Sequence, residues 1–276
     1  MKNNTFHILF LVPALLLASL AVAAQEPQYD PLNYSVRYAP QVDISTVPLD
    51  GEGYRVLFDG SGTFGWRAYG GSALPEGWCV KEGLLCYFPG QTRENDIVYA
   101  YRFKNFILEL DWNMSEGGNS GIFILANEVF SKRKNGSFEL RDIYINAPEY
   151  QLLDDENHPD AHNGATGTHR CGALYDMIPP SEFNVKPYGQ WNHTRIVCDG
   201  GHVEHWQNGV KVLEYRLWTH KWDKMIDRSK FSKSNWPLAN VLMKKIGHDD
   251  HRGYIGLQDH GDMVFFRNIR VKILPD

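Results

Sequence analysis

Beyond an apolar stretch near the N-terminus, hydrophobic and polar residues alternate along the chain more often than they recur at helical spacing. Residues 106–112 are the clearest case: Leu108 and Leu110 fall on one side and Glu109 and Asp111 on the other. Residues 97–100, 120–125 and 150–153 read as further strands, the second after a Gly117-Gly118-Asn119 turn. Residues 191–198, 202–207 and 210–216 read as a meander, with Asp199-Gly200-Gly201 and Asn208-Gly209 as its turns. Residues 254–259 and 264–273 close the chain across His260-Gly261-Asp262. Many short strands between Gly, Asn and Asp turns predict an all-β fold, an antiparallel sandwich or jelly roll. Helical periodicity is weak, and no repeat of solenoid or propeller length is found. Two long insertions, 154–170 and 218–252, are expected to be irregular, and long loops on a rigid sandwich commonly carry binding sites.

The N-terminus changes the picture. Lys2, an apolar run over residues 8–20 and Ala21-Val22-Ala23-Ala24 read as an export signal at residues 1–24, cleaved near Ala24. Residues 25–53 then form an extended lead-in, and the folded domain runs over 54–276. The expected location is periplasmic, cell-surface or secreted, and no membrane-spanning segment is expected after cleavage. Export also alters the reading of the four cysteines. Cys79 and Cys86 flank a hairpin with Glu82-Gly83 as its turn, which sets them opposite each other; a disulfide there is expected in an oxidising compartment. Cys171 and Cys198 are either the second pair or buried thiols.

Net charge is −5 over 276 residues, with no basic run to follow a phosphate backbone, so no nucleic-acid partner is expected. The most informative polar segment is 149–154. On a strand, Glu149 and Gln151 share one face, and Asp154 stands where the strand meets the long loop. A carboxylate beside an amide suits sugar hydroxyls, which both donate and accept. Glu109 and Asp111 offer two more carboxylates, or simply a solvated outward face. Asn119 lies at a strand entry, and Lys186, Trp191 and Asn192 form a polar aromatic edge unless Trp191 is core. His158, Asp160, His162, His169 and Arg170 in the first insertion bind a metal, shuttle protons or decorate a polar loop; their spacing matches no metal motif. His248, Asp249, Asp250 and His251 raise the same alternatives. There is no nucleophile elbow, P-loop or dinucleotide fingerprint.

The chain resembles the 3-keto-disaccharide hydrolase family. The resemblance rests on Leu57-Phe58-Asp59-Gly60 with Gly65-Trp66; Trp78 through Gly83-Leu84; Gly118-Asn119-Ser120-Gly121; Glu149-Tyr150-Gln151-Leu152-Leu153-Asp154; Gly172-Ala173-Leu174-Tyr175-Asp176; Gly189-Gln190-Trp191-Asn192; His205-Trp206-Gln207-Asn208-Gly209; Gly256-Leu257-Gln258-Asp259-His260-Gly261; and Phe265-Phe266-Arg267-Asn268-Ile269. These occur in the family's order across nearly all of the mature chain, and only the 154–170 loop departs. The resemblance implies a concanavalin A-like jelly roll and an exported bacterial protein with a carbohydrate substrate. It also places Glu149, Gln151, Asp154, Asn119, Tyr175, His260 and Arg267 on the family's marked positions.

The implied chemistry is elimination. A ketone at C3 acidifies the C2 proton; a base removes it, an enediolate forms, the C1 oxygen leaves, and water adds back. Glu149 or Asp154 would act as base and acid, and Arg267, His260 or a possible divalent cation would stabilise the enediolate. Arg267 equally suits a structural tie between the last strand and its neighbour. Glu109, Asp111, Asn119, Gln151, Tyr175 and Lys186 would contact substrate. Direct hydrolysis by two carboxylates about 5–5.5 Å or 6.5–9.5 Å apart is the alternative enzyme route, and a non-catalytic carbohydrate-binding module is the alternative class.

Overall fold

The computed structural model describes residues 33–90 and 96–276. The expected signal and the cleavage position near Ala24 lie outside the described residues. Every strand pairing among the described residues is antiparallel. One sheet runs edge to edge through Val210–Arg216, His202–Gln207, Asn192–Asp199, Phe106–Met114, Val264–Ile273, Leu84–Tyr87 and Trp78–Lys81, and Arg55–Phe58 also pairs with Val264–Ile273. The second runs Glu149–Leu153, Asn119–Ala126, Tyr254–Leu257, Ile97–Tyr99 and Trp66–Ala68. The fold is thus the antiparallel jelly-roll sandwich expected from the alternation. The predicted meander closes through Asn208 and Gly209, whose φ of 49° and 85° are what a type I′ hairpin demands.

The two sheets bury their strands differently. In the larger sheet, Asn192–Asp199 and His202–Gln207 alternate buried and part-exposed residues, so one face meets the core and the other meets water. Glu149–Leu153 and Asn119–Ala126 of the smaller sheet are buried at every position. Their inner face supplies Ile122, Ile124, Tyr150 and Leu152 to the main core, against Leu108, Leu110 and Trp112 of the larger sheet. On the outer face, Val98 and Phe123 pack under Ile143 and Ala147 in a separate apolar cluster. A sheet covered on both faces leaves a roofed space beside that cluster, and the site lies there.

Three features differ from expectation. The 218–252 insertion is not irregular: it holds α1 (His220–Ile226) and α2 (Pro237–Lys244). Thr219 caps α1 by accepting from the Trp222 N–H, and Pro237 opens α2. Both helices are too short for periodicity to stand out, and tertiary burial of Trp222, Ile226, Leu238, Leu242 and Met243 sustains them. The lead-in contains a strand, Tyr34–Arg37, paired with Glu128–Lys132. Third, Cys79 and Cys86 are direct cross-strand partners, as the hairpin predicts, but no disulfide joins them. The Cys86 thiol is instead directed at the Leu84 carbonyl at 3.5 Å. Cys171 and Cys198 are also free: one sulfur contacts Gln207 Oε1 and the other the Lys104 carbonyl.

Candidate active site

The outer face of the smaller sheet floors a cleft of about 320 Å³ lined by Asn119, Glu149, Gln151, Tyr175 and His260 of the expected residues. Strand geometry explains the grouping. Glu149 and Gln151 are two residues apart and share a face, and register sets Gln151 opposite Gly121 and Leu153 opposite Asn119. The Gln151 amide donates to Asn119 Oδ1 at 3.3 Å. Gly121 makes room for the acid: a Cβ there would stand 2.5 Å from Glu149 Oε1. Tyr144, Lys230, Trp236 and Gln258 complete the wall.

Glu149 is buried, and no hydrogen bond holds its carboxyl among the described residues. Burial pushes its pKa up to about 7; the Lys230 charge pulls it down, Asp160 pushes it up and His169 pulls it down. A carboxyl poised near neutrality and open to a cleft can exchange a proton with a bound molecule. Lys230 is the cation nearest in effect. Its ammonium sits 4.1 Å from the centroid of the Tyr175 ring. Burial lowers its pKa, against the opposing pull of Glu149, Asp176 and Asp160.

Behind this pair lies an ordered polar chain. His169 places one ring nitrogen 2.9 Å from Asp160 Oδ1 and the other 2.9 Å from Asp176 Oδ1. The Tyr175 hydroxyl donates to Asp160 Oδ2 at 3.0 Å, and the His169 ring stacks on Tyr175. Burial opposes ionisation of Asp160, but the bonds from His169 and Tyr175 prevail and hold its pKa below the usual value. The Lys230 backbone N–H donates to Asp176 Oδ2 at 2.5 Å, which fixes the segment that presents the ammonium. The histidines of the 154–170 loop thus serve different ends: His169 orders the Asp160–Tyr175 wall, and His158 meets His260 edge-to-face. Burial lowers the His260 pKa, so its ring enters the cleft neutral near pH 7.

The other expected residues lie elsewhere. Asp154 turns away from the cleft; it accepts from the Gly117 N–H and the Asn157 amide, both at 2.8 Å, and so staples the two loops at the end of the sheet. Lys186 reaches the Trp191 carbonyl at 3.0 Å. Glu109, Asp111 and Arg267 stand on the solvent face of the other sheet. There Arg267 bonds Asp111 at 3.2 Å and stacks over Trp191, the structural tie between neighbouring strands. Arg270 bonds Glu109 at 2.7 Å. The sandwich core separates these groups from Glu149, so they form no single constellation with it. Among the described residues, one group of carboxylates and histidine has the spacing to hold a cation: His202, Glu204 and Glu214. It is remote from the cleft, and Lys211 already bonds both glutamates.

Sequence reasoning missed Lys230, Tyr144, Trp236 and Gln258. The first three reach the wall from segments with no strand pattern. Gln258 was visible as part of the 254–259 strand, two residues before His260, and that spacing was the available signal.

The sandwich and its carboxyl-and-amide cleft define a class first: a jelly-roll protein of the glycoside-cleaving hydrolase kind. The model of the 3-keto-α-glucoside-1,2-lyase-like domain matches residues 53–272, and the chain belongs to that family. It is 47% identical over 242 residues to a 3-keto-disaccharide hydrolase of Bacteroides thetaiotaomicron, covering 86% of this chain and 83% of that one. Two solved structures, both of candidate glycosyl hydrolases from Parabacteroides distasonis, share its fold at 28% identity. The first has a TM-score of 0.64 and covers 81% of this chain and 95% of that one. The second has a TM-score of 0.55, with 76% and 99% covered.

Proposed function

We propose that this protein is an exported enzyme that cleaves 3-keto-disaccharides or related 3-keto-glycosides by elimination followed by hydration. The carrying observation is Glu149, a buried carboxyl with a pKa of about 7 and no hydrogen bond among the described residues, open to a cleft. Ionised, Glu149 takes the C2 proton, whose acidity comes from the neighbouring ketone. The electron pair moves toward the C3 oxygen, and the Lys230 ammonium and the cleft amides supply positive potential for that charge. Expulsion of the C1 oxygen leaves a C1–C2 double bond conjugated to the ketone. Water then adds at C1, and Glu149, its proton exchanged with solvent in the meantime, delivers one to C2. The relative from Bacteroides thetaiotaomicron supports the substrate class.

The test is incubation with a 3-keto-glycoside and its unoxidised parent in deuterated water. Release from the oxidised substrate alone, with deuterium at C2 of the product, is expected. Equal release from both without deuterium overturns elimination in favour of direct hydrolysis, and binding without release leaves a carbohydrate-binding module. Export rests on Lys2, the apolar run at 8–20 and the small residues up to Ala24. It predicts Gln25 as the first residue of protein recovered from the periplasm; recovery of the intact chain from the cytoplasm refutes it.

A further inference from the structure

The cleft continues past Gln258, His260 and Tyr144 into a second compartment of about 650 Å³. Its wall includes Tyr69, Tyr87, Asp96, Asp142 and Asp259. Both compartments fall within roughly 300–1,000 Å³, the range of small-molecule sites. Gln258 stands at their junction. Its backbone is fixed at both ends: the N–H donates to the Gly121 carbonyl and the C=O accepts from Ser120 Oγ. The residue is 7% exposed, and its Oε1 is buried with no partner among the described residues. A buried amide oxygen left unpaired costs stability unless a ligand hydroxyl completes it. Gln151 Oε1 is unpaired in the same way on the Glu149 side.

The second compartment has its own carboxyl. Asp96 accepts the Asp259 N–H at 2.9 Å through one oxygen. Among the described residues nothing bonds the other. Asp259 is engaged: it accepts the Gly261 N–H at 2.9 Å and the Tyr87 hydroxyl. Burial first, then the Asp259 and Glu149 charges, push the Asp96 pKa well up against the lowering bond from the Asp259 N–H, which favours the protonated form a general acid needs.

We propose that the second compartment is the leaving-group subsite, and that Asp96 is the general acid that protonates the departing glycosidic oxygen. This rests on the elimination reading above. As the C1–O bond breaks, its electron pair stays on oxygen and takes the Asp96 proton. Asp96 is then a carboxylate and receives a proton from the water that adds at C1, which restores it. Net consumption is one water per glycoside. The aglycone accepted is a sugar or a compact polar alcohol whose hydroxyls meet Gln258 and the acids of the wall.

The experiment compares two leaving groups. A 3-keto-disaccharide needs its leaving alkoxide protonated, whereas 4-nitrophenyl 3-keto-glucoside releases a phenolate that leaves unaided. Asp96→Asn keeps an oxygen for the Asp259 N–H. It is expected to lose about 10²- to 10³-fold in kcat/KM on the disaccharide and no more than about threefold on the nitrophenyl substrate. Equal losses on both substrates, or no loss on either, overturn the acid role. Should the variant fail to fold, the wild type supplies the same test. Its activity falls at alkaline pH on the disaccharide only, and an identical alkaline limb on both substrates refutes the proposal. Glu149→Gln is expected to lower kcat/KM on both by about 10²- to 10⁴-fold; full activity there overturns the base reading instead, so the two failures are distinguishable.

Discussion

The two faces of the sandwich use the same residue types to opposite effect. On the solvent face of the larger sheet, Asp111 is met by His193 at 2.9 Å, Asn268 at 2.8 Å and Arg267 at 3.2 Å. Partial burial opposes its ionisation, yet these partners hold its pKa below the usual value. Glu109 is likewise bound by Arg270. On the covered face of the smaller sheet, Glu149 has no such bond, and burial raises it to about 7. Both patterns read as acids on a strand face. What separates a structural carboxylate from a chemical one is whether the fold has already satisfied it.

The comparison breaks first on activity. Glu149→Gln is expected to reduce kcat/KM on a 3-keto-disaccharide by about 10²- to 10⁴-fold, the usual worth of a general base. Asp111→Asn should leave it within about twofold, since the sandwich core lies between that residue and the cleft. An equal loss in both variants would erase the distinction.

The same pair gives opposite pH dependences of stability. The folded pKa of Glu149 lies near 7, above the 4.5 of an ordinary glutamate. Its stabilising contribution is therefore present below pH 4.5 and lost as pH rises through about 7. Above that, the ionised buried group costs on the order of 3 kcal/mol. Thermal unfolding at pH 8 should thus show Glu149→Gln more stable than the parent, with the advantage gone at pH 4. Asp111 has the reverse sign. Its lowered pKa stabilises the fold above the ordinary carboxylate range, and that contribution disappears as pH falls, so Asp111→Asn is less stable at pH 8 and converges with the parent in acid.

These differences also explain what could be read from the chain. Alternation at 106–112 and the Asn208-Gly209 turn specify strands and hairpins through local sterics, so the sandwich was legible. Glu149 and Gln151 were legible as a pair because two-residue strand spacing sets a shared face, and Asn119 and His260 joined them only through the family resemblance. Which acidic face is roofed is a tertiary property, so on sequence alone Glu109 and Asp111 stayed open as either substrate contacts or a solvated face. Lys230 was invisible for a related reason. It stands in an insertion held by burial of Trp222, Leu242 and Phe231 and by one backbone bond to Asp176, none of which leaves a periodic trace.

Lys230 sharpens the comparison further. Lys230→Met removes the charge that most strongly favours ionised Glu149 and keeps much of the buried stem. The apparent pKa of the acid limb of kcat/KM should move to higher pH, with activity at pH 6 reduced about tenfold, equivalent to a one-unit displacement of the limb. A uniform loss at every pH with the limb unmoved would assign Lys230 to substrate contact alone.

The smallest effect is expected at Arg267. Its side chain is 39% exposed, it bonds Asp111 at 3.2 Å, and it lies 4.0 Å over the Trp191 ring. An exposed pair of this kind contributes about 0–1 kcal/mol, with a similar small share from stacking. Arg267→Gln retains a donor for Asp111 and should lower stability by no more than about 1 kcal/mol in urea unfolding. Its kcat/KM on the 3-keto-disaccharide and its C2 deuterium incorporation should equal the parent's, because the residue faces water across the core from Glu149. A large loss of turnover in a variant of unchanged stability would place Arg267 in the chemistry and show that satisfied charges on the open face reach the cleft.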